Sequence, residues 1–165
     1  MLETSNTEST LIEREQKLAA DLKSRFDDVL EITIKPKRIK IKVKLEKLLD
    51  TANYINNNLG FDHSTSVSGV DYPNSKEFEV VYHLSTYGRE DIRDIVIALS
   101  TRISRDEPKT QSLISIWPSV EYSERETFEM FGIIFVGHPK LEKLLLPEDW
   151  NDIPPLRKDF KPPGR

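Results

Sequence analysis

Arg38-Ile-Lys-Ile-Lys-Val-Lys-Leu-Glu-Lys-Leu-Leu49, RIKIKVKLEKLL, changes its hydrophobic period halfway along. From Arg38 to Lys44 the alternation is strict. Ile39, Ile41 and Val43 go to one face and the basic residues to the other, as in a half-buried strand. Leu45, Leu48, Leu49, Ala52 and Ile55 then recur at helical spacing, and Asn56-Asn57-Asn58 with Gly60 stops the helix. A strand thus passes directly into a helix, and the flanks, strands in sequence bracketed by helices, set the class as α+β.

Upstream, Leu11, Leu18, Leu22 and Phe26, with Ile12 and Ala19 beside them, predict a helix from Thr10 to Phe26. Thr10 and Glu13 have capping-box spacing, and Asp27-Asp28 is unfavourable at a helix C-terminus. Downstream, 61–70 and 77–85 read as strands around the turn cluster Asp71-Tyr72-Pro73-Asn74-Ser75. Ile95, Ile97, Leu99 and Ile103 mark another strand after the Tyr87-Gly88-Arg89 turn. Strands joined by short turns imply a mostly antiparallel sheet flanked by helices. A loop at 106–110 leads to a helix over 118–131, stopped by Gly132, and to a last short strand at 133–136. Six of the ten prolines lie beyond it, at Pro139, Pro147, Pro154, Pro155, Pro162 and Pro163, and forbid long regular structure there. Leu141, Leu144 and Leu145 are read as one or two helical turns within an otherwise extended arm. The chain divides into a flexible lead at 1–9, a single core domain at 10–136 and a docking arm at 137–165.

Composition narrows the function. The 165 residues suit one domain, and the 32% charged fraction with 37% hydrophobic residues fits a small soluble domain with much surface. There is no cysteine, so neither disulfides nor thiolate-held iron–sulfur clusters or zinc can form. His63, His83 and His138 are too scattered for a metal triad. No run approaches the ~20 apolar residues of a membrane-spanning helix, and the polar start does not read as a signal peptide. Neither a nucleotide-cradling glycine loop nor a G-x-S-x-G elbow is found. Hence no catalytic, cofactor-binding or metal-binding residue is assigned.

Three stretches carry more charge or proline than a core needs. On a helix, Glu121, Arg125 and Glu129 fall four apart and can form an ion-pair ladder, and Glu124, Phe128 and Phe131 lie on a neighbouring face. Such a set is either a solvated face or a charge-complementary docking surface; acid–base chemistry lacks a partnering His, metal set or nucleophile. The arm from Asp149 onward offers Trp150 and Phe160 as anchors and Arg157 as a bidentate contact. It either lies along a partner or folds over its own sheet. Lys35, Lys37, Arg38, Lys40, Lys42, Lys44 and Lys47 place seven cations in thirteen residues. Nucleic acid is one reading, but no aromatics interleave to stack bases. The other is an edge strand whose lysines block unwanted pairing.

Glu124-Arg125-Glu126-x-x-Glu129-Met130-Phe131-Gly132, then Gly137-His138-Pro139, Pro147-Glu148-Asp149-Trp150 and Leu156-Arg157-Lys158-Asp159-Phe160 form an ordered string. Over Trp117 to Phe160 it closely resembles the 30-kDa subunit of respiratory complex I, the C subunit of NADH:quinone oxidoreductases. The resemblance implies a non-redox scaffold subunit of the peripheral arm. Such a subunit packs against the large subunit beside the quinone site and against iron–sulfur subunits, which hold the clusters. A flavin or other donor site lies elsewhere in the complex. It implies attachment to the cytoplasmic face of a prokaryotic membrane through partners, and no nucleic acid. The function implied is support of electron transfer from NADH or another reduced donor toward quinone, coupled to ion translocation by the whole complex. The interface residues carried over are Glu124, Arg125, Glu126, Glu129, His138, Trp150, Arg157, Lys158 and Asp159. Glu129 stands where the family commonly has Asp, and Tyr122 where it has Trp. Asp152-Ile153-Pro154-Pro155 is one residue longer than the usual Gly-His-Pro. These departures point to a divergent branch, similar to the subunits of membrane-bound hydrogenases or of deazaflavin- or ferredoxin-linked dehydrogenases.

Overall fold

The computed structural model describes residues 3–26 and 29–162. Helix α1 (Glu3–Arg25) leads into strands β1 (Val29–Lys35) and β2 (Arg38–Val43). A single 3-10 turn at Leu45–Lys47 enters helix α2 (Leu48–Asn57). Strands β3 (His63–Tyr72), β4 (Glu77–Ser85) and β5 (Val96–Ser104) follow. Short strand β6 (Lys109–Gln111), a 3-10 turn at Pro118–Val120, helix α3 (Glu121–Phe131) and short strand β7 (Ile134–Val136) complete the regular structure. The main sheet has the order β1-β2-β5-β4-β3. Only β2 and β5 pair in parallel within it. The α+β reading with a mostly antiparallel sheet therefore holds.

Several boundaries move. Helix α1 begins upstream of Thr10, so the capping-box spacing read there falls inside the helix. Residues 3–9 of the expected lead belong to the same helix; Met1 and Leu2 lie outside the described residues, as do Asp27 and Asp28. Strand β1 was not read from the sequence, although Ile32 and Ile34 alternate with Glu31, Thr33 and Lys35. It takes the sheet edge, so the lysine strand β2 lies inside the sheet, not at its margin as expected. The β1–β2 turn is Pro36-Lys37, with Lys37 at φ 62°. Its backbone N–H donates to the buried Glu15 carboxylate of α1 at 2.7 Å, so a helix side chain fixes the hairpin. The loop expected at 106–110 overlaps β6, which pairs in parallel with β7.

The helices cover one face of the sheet. Ile39, Ile41 and Val43 pair in register with Ile97, Leu99 and Thr101, and all six are buried. Phe78, Val80, Tyr82 and Leu84 extend the same face on β4. Ala19 and Leu22 of α1 and Leu48, Ala52 and Ile55 of α2 complete this core. Each fully buried Leu, Ile or Val among them stabilises the fold by roughly 1.5–3 kcal/mol. Trp117 is fully buried and donates its indole N–H to Phe61 O at 2.8 Å, which removes the cost of a buried donor. The far face presents Arg38, Lys40 and Lys42 on β2 and Ala98, Ser100 and Arg102 on β5.

Helix α3 closes the β3 end of the core. The Ser119 hydroxyl just before it donates to Ser64 O at 3.0 Å and accepts the Ser64 N–H at 3.2 Å, covering part of the edge strand. At the helix end the Phe131 ring lies over Gly69, where a Cβ would sit 2.6 Å from the ring. Phe131 is wedged in place by an edge contact with Phe78, centroids 6.1 Å apart. Gly69→Ala should therefore lower stability by about 1–3 kcal/mol, overpacking outweighing the smaller gain from a stiffer unfolded chain. A urea melt reads this directly. An unchanged or raised midpoint would show that the ring gives way freely.

Candidate docking site built by helix α3 and the C-terminal arm

Three charged residues of α3 are buried: Glu124, Arg125 and Glu129. The expected ladder of Glu121, Arg125 and Glu129 is not formed, because Arg125 and Glu129 reach into the backbone of the arm instead of to each other. Glu124 has no exposed surface and collects three donors. Its Oε1 accepts from the Tyr82 hydroxyl and the Leu113 N–H, each at 2.9 Å, and its Oε2 accepts from the Ser112 hydroxyl. The β6–β7 pairing brings Ser112 and Leu113 there, with Ser112 N–H bonded to Val136 O. Burial pushes the Glu124 carboxyl above its ordinary 4.5, against the opposing pull of those hydrogen bonds and of His138. The Tyr82 hydroxyl is pushed up in turn, by burial and by Glu124.

Arg125 and Glu129 hold the arm. Arg125 donates to Glu142 O at 3.1 Å and to Lys143 O at 3.2 Å. The Glu129 carboxylate accepts the backbone N–H groups of Leu144, Leu145 and Leu146. The helical turn expected at Leu141–Leu145 is absent, because these amides bond to a carboxylate instead of to carbonyls four residues back. From there Lys143 Nζ gathers the carbonyls of Glu148 and Trp150 at 3.0 and 2.7 Å. Trp150 meets Phe160 with ring centroids 5.9 Å apart.

The arm then returns to the end of α3. Gly132 stops the helix at φ 78°, as expected, and a Cβ there would lie 2.7 Å from the Arg157 guanidinium. Leu156 N–H donates to Met130 O at 3.0 Å and Arg157 Nε to Phe131 O at 2.6 Å. Two carbonyls that a helix end leaves without internal partners are thus satisfied, one of them by a cation suited to the negative end of the helix dipole. Arg157 also lies over the Phe78 ring at 5.1 Å. Asp71, read as a turn residue, anchors the last segment. It accepts from Arg105 at 3.1 Å and from the Lys158 N–H at 2.8 Å, and Arg105 also binds Asp159 at 2.7 Å.

Of the two courses open to the arm, the structure shows it folded over its own domain. Arg157 and Asp159 are committed to intrachain contacts, whereas Lys158 contributes its backbone and keeps an exposed side chain. His138 approaches Glu121 O through Nε2 at 3.0 Å, and its Nδ1 accepts the Lys140 N–H, a geometry that places the ring proton on Nε2. Glu126 is exposed. Pro163, Gly164 and Arg165 lie outside the described residues. The outward surface of the arm is mixed: Leu145 and Leu156 are more than half exposed and Leu144 and Ile153 about 40%, beside exposed charged residues such as Lys140, Glu142, Glu148, Asp149 and Asp152. Among the described residues no group of three or more His, Cys, Asp or Glu is placed to hold a metal. No helix among them is long and apolar enough to cross a membrane. Tyr82, Ser112, Asp71 and Arg105 were missed, because contacts across 42, 12, 34 and 34 positions leave no local periodic signal.

Glu124 makes a pH test possible. A carboxyl raised in the folded state holds its proton there more tightly than in the unfolded chain. Its contribution is fully present below the unfolded pKa, about 4.3, and is lost as pH rises through the folded value. Glu124→Gln keeps the shape and removes that titration. The stability of the variant relative to the parent chain should therefore rise with pH across the mildly acidic range and then level off, read from denaturant melts at successive pH values. A difference that does not change with pH would contradict the raised carboxyl. Glu124→Ala, which orphans the buried donors, should cost about 2–4 kcal/mol.

Comparison with known proteins agrees with the motif string. The family model described as respiratory-chain NADH dehydrogenase, 30 Kd subunit, matches residues 41–165. The chain is 41% identical over 126 residues to the C subunit of the F(420)H(2) dehydrogenase of Methanosarcina mazei, covering 76% of this chain and 77% of that protein. It is also 41% identical over 124 residues to the C subunit of the NADH-quinone oxidoreductase of Roseiflexus sp., covering 73% of this chain and 68% of that one. Among solved structures, a chain of the membrane-bound sulfane sulfur reductase, an archaeal respiratory membrane complex, superposes with a TM-score of 0.78 at 24% identity. That match covers 90% of this chain and 86% of the other. The trypsin-resistant fragment of Nqo5 superposes at 0.64 with 20% identity, covering 76% of this chain and 98% of the fragment. These two likenesses bear on the fold alone. The chain belongs to the family of the respiratory-chain NADH dehydrogenase 30 Kd subunit.

Proposed function

We propose that this chain is a scaffold subunit of the peripheral arm of a complex I-like oxidoreductase. The observation that carries the reading is how the family motif is used. Glu124, Arg125 and Glu129 do not present a free reactive cluster; Glu124 ties the segment after β6 to β4, and Arg125 and Glu129 shape an arm with exposed leucines. Buried charges that hold backbone in place suit a rigid docking surface, because a preordered segment loses less entropy on binding. Family membership supports the same reading. The partners proposed are the large subunit beside the quinone site and the iron–sulfur subunits, with membrane attachment only through them, on the cytoplasmic face. The clusters and the flavin or other donor site are assigned to those partners. With no cysteine, this chain has no thiolate to ligate a cluster. Its role is then to fix the relative placement of electron carriers on the route from reduced donor to quinone, while the whole complex translocates ions.

A second reading concerns the donor. Similarity to a subunit of an F(420)H(2) dehydrogenase, at the same identity as to one of an NADH-quinone oxidoreductase, favours neither donor over the other. A reduced deazaflavin or ferredoxin donor, or a hydrogenase-type assembly, leaves the scaffold role unchanged.

The test is affinity recovery of the tagged chain from native membranes solubilised in mild detergent, with partners identified by mass spectrometry. Iron–sulfur subunits and a multi-span membrane subunit should accompany it, and the donor module should identify the branch. An Arg125→Ala, Glu129→Ala variant that still folds should recover those partners several-fold less well. Recovery of the parent chain without oxidoreductase subunits would overturn the proposal.

A further inference from the structure

The face of the main sheet opposite the core carries a trough of about 570 Å³ that crosses all five strands. Thr33 and Lys35 of β1 and Arg38 and Lys40 of β2 form one end. Val96 and Ala98 of β5, His83 of β4 and Ser66 of β3 carry it to the other edge. Helices α1, α2 and α3 all pack on the opposite side with the core, and the arm joins them there.

Charge is segregated at this trough. The chain carries 28 acidic against 24 basic residues, yet no carboxylate lines the trough. Lys40 is partly neutralised from beneath by the buried Glu79, 3.0 Å away, which also lies 3.7 Å from Arg102. Burial raises the Glu79 carboxyl, but its bonds with Lys40, Ser100 and Tyr72 outweigh that and leave it below its ordinary value, so it stays ionised. Lys35 and Arg38 are exposed and form no salt bridge with any described residue. Their surplus charge therefore faces outward at one end of the trough.

Shape narrows the occupant. Five strands about 4.8 Å apart span roughly 19 Å, the length of about six extended residues. Ala98 and Ser66, with Val96 beside them, are small and flank the His83 imidazole between them, so another backbone can approach closely on either side of that ring. A single small anion would fill one end only. Nucleic acid is disfavoured, because no Phe, Tyr or Trp lines the trough to stack a base.

We propose that this trough docks an extended acidic segment, rich in Asp or Glu, supplied by a partner subunit. Lys35 and Arg38 pair with its carboxylates, and the small residues beside His83 seat its backbone. The proposal deepens the scaffold reading and rests on it for the source of the segment; the docking chemistry stands on the trough alone. Charge complementarity of this kind steers association and fixes register.

The test is an amide NMR titration of the full isolated chain with hexaglutamate capped at both ends, at low ionic strength. Shifts should centre on Thr33, Lys35, Arg38 and Ala98 and fade with added salt. Lys35→Glu with Arg38→Glu, two exposed positions, should weaken binding about tenfold or more without lowering the melting temperature. No shifts, or shifts centred elsewhere, would overturn the proposal. So would displacement of the peptide by equimolar inorganic phosphate, which marks a small-anion site. Equal shifts with oligothymidylate, or self-association of the chain through this face, would overturn it too. The same double variant in the affinity recovery separates the two readings. If partners are recovered undiminished and hexaglutamate ignores the trough, the trough assignment fails and the scaffold reading stands. If hexaglutamate binds the trough but no oxidoreductase subunit is ever recovered, the scaffold reading fails alone.

Discussion

Everything distinctive about this chain depends on the burial of three charges on one face of helix α3. Removing a carboxylate from water is expensive unless its lone pairs find donors. Glu129 finds them in three successive backbone amides, Leu144 to Leu146, and Glu124 in Tyr82, Ser112 and Leu113. That need ties together segments far apart in sequence: the end of β6, the middle of β4 and the start of the arm. Arg125 adds the opposite half, a guanidinium that has only donors and so selects carbonyls, those of Glu142 and Lys143. The arm follows a single path because these acceptors and donors leave it few others.

The same logic closes the loop at the other end of the helix. Gly132 ends α3 in a left-handed conformation and leaves room for Arg157, which bonds to the carbonyl of Phe131. A side chain there would meet both the conformational penalty and the guanidinium. Phe131 in turn packs over Gly69, so one helix terminus is fixed from the sheet side and from the arm side together. Asp71 completes the arrangement by holding Arg105 and the Lys158 amide at once. A proline-rich tail whose described residues form no helix and, beyond β7, no strand is in this way anchored at several points, and its leucines remain available to a partner.

Much of the fold is legible in the sequence. The strict alternation of Ile39, Ile41 and Val43, the helical period through Ile55 and the stop at Gly132 all appear in the structure. Strand β1 escaped because its alternation is short and its apolar positions, Ile32 and Ile34, stay only partly covered at the sheet edge. Missing it moved β2 to the margin and misread its lysines as edge protection. The short pair β6–β7 is three residues a side, too brief for any period to show. For the site, the motif residues on α3 were found, but their direction was reversed. Spacing places Glu121, Arg125 and Glu129 on one stripe and is silent on whether that stripe meets water. Burial is decided by what packs against the helix, and those partners, Tyr82, Ser112 and the Leu144–Leu146 backbone, are remote in sequence.

The buried Glu129 carboxylate orders the arm, and that of Glu124 fixes the segment after β6. Native-state hydrogen exchange of the intact chain addresses this ordering most directly, because the amides of Leu113, Leu144, Leu145 and Leu146 are bonded to the Glu124 and Glu129 side chains. Protection at these four amides should be comparable to that of α3 itself, with Glu129→Ala abolishing it at the three leucines of the arm and sparing Leu113. Exchange of the arm amides in the parent chain at the rate of an unstructured peptide would contradict such an ordering.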